Sequence, residues 1–249
     1  MTRSGGFLPA RLSSFIGFFL LWEAAARILG SRTLPAATAV MAALARETAS
    51  GALPLNFAYT LARAGCAFAV SMVLGVALGL AMGRWRGLDA VMDSFVVGLL
   101  NIPAVVLIVL IYVWFGLSDA SAIIAVALNK LPSTAVMVRE GTRALDPGLF
   151  EMARSFRMRP CAILRHVMLP GLAPCLFAAA RSGSALIWKI VLVAELLGRS
   201  NGVGFQIGVY FQLFDVTGIL AYTLAFVFIV QLLEWGGLQP LERWANKWR

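Results

Sequence analysis

The sequence predicts an all-α membrane protein with about six transmembrane helices in a single domain over 1–249. Three observations carry that prediction. Hydrophobic residues make up 60% of the 249 residues and charged residues 13%, against about 45–50% and about 25% in ordinary soluble domains. A soluble globule cannot hide so much apolar surface, so lipid must solvate much of this chain. Six runs reach the roughly 20 mostly apolar residues that a helix needs to cross a bilayer: 12–30, 64–82, 94–117, 120–138, 168–197 and 217–237. The basic residues then segregate between the loops, as they do in membrane proteins.

The first run is interrupted by Glu23 and Arg27, which stand one helical turn apart and can pair on one face. Arg3 and Arg11, the apolar stretch Phe15–Trp22 and then Ala24-Ala25-Ala26 also have the form of a signal peptide. Glu23 beside the cleavage position, with no soluble domain after it, argues for a retained span. Segment 31–60 is not a span. Between Pro35 and Pro54, the apolar positions Val40 and Leu44 fit either an amphipathic helix on the outer face or a connecting loop. On the second run Ser71, Gly75, Gly79 and Gly83 recur every four residues. Small residues so spaced form a smooth ridge that another helix backbone can approach closely. Pro103 and Pro132 fall inside the third and fourth runs and predict kinks. The fifth run carries Arg181, Lys189 and Glu195.

With the N-terminus inside, segments 1–11, 83–93, 139–167 and 238–249 face the cytosol. They hold Arg3, Arg11, Arg84, Arg86, Arg139, Arg143, Arg154, Arg157, Arg159, Arg165, Arg243, Lys247 and Arg249. The outside and its border hold Arg27, Arg32, Arg46, Arg63 and Arg199, and Lys130, Arg181 and Lys189 lie within spans. Thirteen against five follows the positive-inside rule and places both termini in the cytosol. The net charge of +9 is therefore mostly a topology signal rather than a nucleic-acid footprint. Cys66, Cys161 and Cys175 lack metal-ligand spacing, and His166 is the only histidine. Neither a disulfide framework, a zinc site nor a Ser-His-Asp triad is expected within one chain.

The longest cytosolic insertion, 139–167, is patterned as a helix pair. Asp146 reads as an N-cap with Pro147 at the first helical position. Leu149, Phe150, Ala153 and Phe156 then form an apolar stripe, and Glu151 suits the helix dipole in the first turn. Pro160 opens a second short helix through Ile163 and Leu164, leading to Leu169-Pro170. Such a pair reads either as a docking element or as an interfacial re-entry loop.

Glu151-Met152-Ala153, followed nineteen residues later by Leu169-Pro170, resembles the EAA loop of ABC importer permeases. Other stretches resemble the nitrate/sulfonate/taurine-type branch: Leu21-Trp22-Glu23, Leu78-Gly79 to Met82-Gly83, Ile102-Pro103, Trp114-Phe115-Gly116, Leu145-Asp146-Pro147, Trp188-Lys189 and Ala194 to Leu197. The chain departs from the pattern at Met152, at Val167 and at Arg157, where the family has a glycine that permits a left-handed turn. The resemblance implies a type I importer permease fold in the inner membrane. It implies a non-catalytic subunit whose 146–167 loop sits in a groove of a cytosolic ATPase, with ATP and Mg bound there and no cofactor in this chain. The other implied partners are a second permease copy and a periplasmic or lipid-anchored binding protein. No G-x-x-x-x-G-K-[ST] phosphate loop is present, in keeping with that division of labour.

Asn129, Lys130, Arg181, Trp188, Lys189 and Glu195 are the candidate pathway residues. Cations outnumber the single acid among them, which favours an anionic substrate; snorkelling and a structural ion pair are the competing reading. Sulfonate, taurine, nitrate or a pyrimidine-type precursor are the candidates by resemblance. Gly198, Gly202 and Gly204 mark an outer loop facing the binding protein. The alternative function is an ion-coupled secondary transporter, against which stand the absence of a clear internal repeat and of clustered intramembrane acids.

Overall fold

A computed structural model of the chain describes residues 7–30, 33–234 and 236, and the regular structure among them is helical. Arg3, Arg32, Arg243, Lys247 and Arg249, the Arg11 side chain and the 238–249 segment lie outside the described residues.

Helix α1 (Phe7–Leu29) covers the first predicted run. Glu23 and Arg27 pair at 2.7 Å, as their spacing allows. Glu23 also accepts hydrogen bonds from the Thr38 backbone and hydroxyl, both at 3.1 Å, which ties α1 to the start of α2 (Ala37–Ala49). Segment 31–60 is thus partly helix rather than loop. Val40 and Ala43 of α2 are buried against Ala221, and the Tyr222 hydroxyl donates to Glu47 at 3.0 Å. Helix α2 is therefore docked on α11 (Val216–Leu233) rather than lying free on a surface.

Helix α3 (Ala52–Arg84) begins well before the predicted start at 64. Asn56, Thr60 and Arg63 lower the hydropathy of its first turns, but protein groups satisfy them. The third predicted span, 94–117, is not one helix. It is α4 (Arg86–Asn101) and α5 (Ala104–Phe115), bent by 102° at Ile102–Pro103. Pro103 has no N–H to continue α4 and holds Ile102 extended, with φ −75° and ψ 124°. Helix α6 (Asp119–Arg143) starts at Ser118, whose hydroxyl accepts from the Ser121 N–H at 3.1 Å, and continues through Pro132.

Helix α7 (Pro147–Ser155) is the predicted cytosolic helix. The second short helix, α8 (Pro160–Ile163), does not end before the fifth span. A π-helical turn (Leu164–Met168) joins it to α9 (Leu169–Gly198), giving 39 continuous helical residues. Pro170 cannot donate to the preceding turn, and the widened register lies directly before it. A tenth helix, α10 (Val203–Gln212), takes in Gly204, and Gly198 ends α9, so Gly202 alone of the three glycines predicted as turns lies between helices. Among the described residues, four helices are long and apolar enough to cross a membrane, or five with the bent pair counted as one span.

The small-residue ridge decides how α3 and α6 pack. Ser71, Gly75 and Gly79 are buried. A Cβ on Gly75 would stand 2.7 Å from Thr134 Cβ, one on Gly79 2.5 Å from the Ala135 carbonyl, and one on Gly83 2.6 Å from Thr142 Cβ. The contacts rise together along both helices, so α3 and α6 run parallel. The chain must therefore cross back between them, and the bent α4–α5 pair is that crossing. Asn56, Arg63, Asp119, Glu195 and α10 gather at one end of the bundle, while Gly83, Thr142 and α7 gather at the other.

Candidate functional site

At the α7 end, Asp146 caps the helix, its carboxylate accepting from Gly148 N–H at 2.9 Å with Pro147 in the first turn. The helix ends on a left-handed residue. Arg157 has φ +50°, its N–H donates to Arg154 O at 2.8 Å, and the Met158 N–H donates to Ala153 O at 3.0 Å. Those two bonds form a Schellman cap, with Arg157 at the position that glycine normally takes. The positive φ expected there is kept, at the strain cost of a side chain in that region. Ala153 is fully buried under this turn, whereas Leu169 and Pro170 are exposed.

The apolar stripe of α7 splits. Phe156 is 75% exposed, Met152 50% and Leu149 37%. Phe150, half-buried, and Glu151, exposed, instead line a cleft of about 870 Å³ between α7 and the α3–α4 elbow. Beside it, Asp89 of α4 pairs with Arg139 at 3.2 Å and with Arg143, and Asp93 also pairs with Arg139. These ion pairs clamp α4 to the end of α6.

At the opposite end stands a buried polar network that the sequence did not reveal as a unit. Arg63 reads there as a border residue, yet it is 3% exposed and bonded on all sides. Its guanidinium reaches Glu195 at 2.6 Å, Asp119 at 2.7 Å, the Asn201 backbone carbonyl at 2.9 Å and the Asn201 side chain. Glu195, fully buried, also accepts from Thr60 and from the Gly204 N–H, each at 2.9 Å. Arg199 stands 3.1 Å from Asp119 and donates to Leu117 O at 2.7 Å. A usable signal was the face Asn56, Thr60, Arg63 at helical spacing ahead of an apolar run.

The predicted outer glycines sit in this network. Gly202 has φ +108°, and a Cβ there would strike the Glu195 carboxylate. A Cβ on Gly204 would strike the Leu192 carbonyl, and one on Gly198 would come within 2.5 Å of the Tyr112 ring. The loop is thus folded onto α9 and α3, not freely turned.

The predicted pathway residues do not converge on one site. Glu195 belongs to the Arg63 network as a structural ion-pair partner. Lys130 is 1% exposed at the middle of α6; its ammonium donates to Ser133 at 2.7 Å and its stem presses on Gly183 of α9. It makes no ion pair among the described residues, and its burial excludes snorkelling. Asn129 beside it is half-buried. Arg181 and Lys189 are exposed on α9. Trp188 packs edge-on against Phe226, with ring centres 6.4 Å apart.

Comparison with known proteins bears on this arrangement. Residues 71–235 match the family described as the binding-protein-dependent transport system inner membrane component. The chain is 30% identical over 237 residues to a protein of Escherichia coli (strain K12) named as an aliphatic sulfonates transport permease, SsuC, covering 94% of this chain and 89% of that one. It is 25% identical over 193 residues to the taurine transport system permease TauC of the same organism, covering 78% and 70%. With the bicarbonate transport system permease CmpB of Synechococcus elongatus it shares 26% identity over 192 residues, covering 76% and 66%. The fold is similar to chains of the MetNI methionine ABC transporter (TM-score 0.66, 20% identity, 80% of this chain and 98% of that) and of an amino acid ABC transporter (TM-score 0.63, 19% identity, 80% and 97%).

Proposed function

The chain belongs to the family of binding-protein-dependent transport system inner membrane components, and from that premise we propose that it imports a small anion of the sulfonate class. It is the multi-pass permease subunit of an ABC importer in the inner membrane, a non-catalytic chain whose ATPase is a separate protein. An ATPase and a substrate-binding protein are the partners of such a system. The observation that carries the substrate proposal is the 30% identity to the sulfonate permease over 94% of the chain. Lys130 supports it: a buried ammonium at mid-helix with no carboxylate partner among the described residues suits a passing anion.

In this reading the permease forms a homodimer, ATP and Mg bind only to the partner ATPase, and both termini are cytosolic. Helix α7 enters the ATPase groove. Leu149, Met152 and Phe156 supply its apolar contact, and Glu151 contacts the ATPase at the rim of the cleft. The outer loop with Gly198, Gly202 and Gly204 receives the binding protein. Asn129 and Lys130 line the pathway, while Arg181, Trp188 and Lys189 flank it on α9.

The test is reconstitution of the permease with its ATPase and binding protein in proteoliposomes. Ethanesulfonate is expected to stimulate ATP hydrolysis and to accumulate inside. Stimulation by neutral or cationic solutes with none by any sulfonate would overturn the substrate assignment. Glu151→Ala and Phe156→Ala are expected to weaken ATPase co-purification, since burying a Phe is worth about 1.5–3 kcal/mol.

A further inference from the structure

We propose that the cleft between α7 and the α3–α4 elbow binds the phosphate headgroup of an anionic phospholipid. The proposal rests on the reading above only in placing this end of the bundle at the cytosolic face.

The cleft holds about 870 Å³, within the roughly 300–1,000 Å³ typical of small-molecule sites. Four arginines line it, Arg84, Arg86, Arg143 and Arg154, against two acids, Asp89 and Glu151. Asp89 is already held by Arg139 and Arg143. Arg84, Arg86 and Arg154 make no ion pair among the described residues. Three uncommitted guanidiniums therefore face one free carboxylate, a balance that attracts an anion, and guanidinium forks match phosphate oxygens in pairs.

A lipid suits this site better than a soluble anion because of its position and its walls. Arg84 and Arg86 bracket the end of α3, where a span meets the headgroup layer. Trp85 between them is 62% exposed, and tryptophan favours that layer. Met82, Leu145 and Phe150 add an apolar wall that a free phosphate would not use but a glycerol backbone and upper acyl chain would. Basic pockets between transmembrane helices on the cytoplasmic side take anionic headgroups on these terms. The ATPase is left the exposed face of α7, where Leu149, Met152 and Phe156 lie outside the cleft lining, and meets the cleft only at Glu151 on its rim.

The test uses the permease–ATPase complex in nanodiscs of equimolar phosphatidylglycerol and phosphatidylcholine, followed by detergent release and native mass spectrometry of retained lipid. Phosphatidylglycerol is expected to stay bound to the wild-type complex. Each surface arginine contributes about fivefold to such binding, so Arg84→Gln with Arg86→Gln should lower retention roughly twenty-five-fold. Arg159→Gln with Arg165→Gln, also basic and exposed but outside the cleft, should leave it unchanged. Equal retention in the Arg84/Arg86 variant would overturn the proposal. So would release of the lipid by excess inorganic phosphate, which would assign the site to a free anion. Loss of the ATPase with the lipid retained would make the cleft part of the ATPase seat and overturn it as well. The readout uses neither substrate nor ATP, and the lipid is present in both leaflets. A wrong substrate or an inverted topology would therefore leave retention intact.

Discussion

Arg157 shows how a single residue can depart from a family pattern while the backbone does not. The Schellman cap of α7 needs a left-handed residue, and the chain supplies it with a side chain that costs on the order of 1 kcal/mol there. Arg157→Gly should therefore leave the complex as stable or raise its stability by up to about 1 kcal/mol, the greater unfolded-state freedom of glycine offsetting part of the gain. Arg157→Val should destabilise, since a β-branched residue at positive φ is a steric outlier. Thermal unfolding of the purified complex reads both, and a fall in stability with glycine would show that Arg157 contributes a contact larger than its strain. The cap was legible in the sequence because Asp146-Pro147 fixes where α7 begins and the departure marks where it ends. Arg63 was not. Its ion-pair partners Asp119 and Glu195 lie 56 and 132 positions along the chain, and no local spacing links residues so far apart. Glu195 stands out in the sequence as an intramembrane acid, but its role depends on Arg63, a partner that no local spacing reveals.

At the scale of elements, regular patterns were legible and interruptions were not. The four-residue period of Ser71, Gly75, Gly79 and Gly83 pointed to close packing, and α6 is the helix that uses it. The break at Ile102–Pro103 was read as a kink within one span because both flanks are apolar; apolarity gives no sign of a 102° bend. Helix α10 was hidden by glycines whose smallness serves contact with α9 as much as turning. The ridge yields a matched pair of substitutions on α3. Gly65→Ala meets nothing within 4 Å and should be neutral or stabilising by up to about 1 kcal/mol through helix propensity. Gly79→Ala places its Cβ 2.5 Å from the Ala135 carbonyl and 2.8 Å from Val138 Cβ. Backbone cannot yield there as a flexible side chain can, so the cost should be about 1–3 kcal/mol. Equal unfolding temperatures for the two variants would mean that α3 and α6 are not held at this distance in the membrane.

The whole molecule constrains its own topology before any membrane is considered. Parallel α3 and α6 require one return crossing, supplied by the bent α4–α5 pair. Helix α9 runs back from the α7 end to the Arg63 network, and α11 descends again. Glu23, near the C-terminal end of α1, is bonded to Thr38, and α2 is bonded in turn to the start of α11. That places the end of α1 on the same side as the Arg63 network. The side expected in the cytosol then follows from charge alone: Arg139, Arg143, Arg154, Arg157, Arg159 and Arg165 crowd the 139–167 segment, and the positive-inside rule predicts that it is cytosolic. Single-cysteine labelling tests this in intact cells, on a background with Cys66, Cys161 and Cys175 replaced. Position 202 is unsuitable for a probe, because a side chain there strikes Glu195. Ser155 and Ser200 are exposed at opposite ends of the bundle and accept cysteine with little change of shape. Ser200→Cys should react with a membrane-impermeant maleimide added from outside, and Ser155→Cys only after the membrane is opened. The reverse pattern would invert the molecule and move the coupling assignment of α7 to the wrong face. Labelling of both from outside would mean that α9, the helix between them, does not cross the membrane.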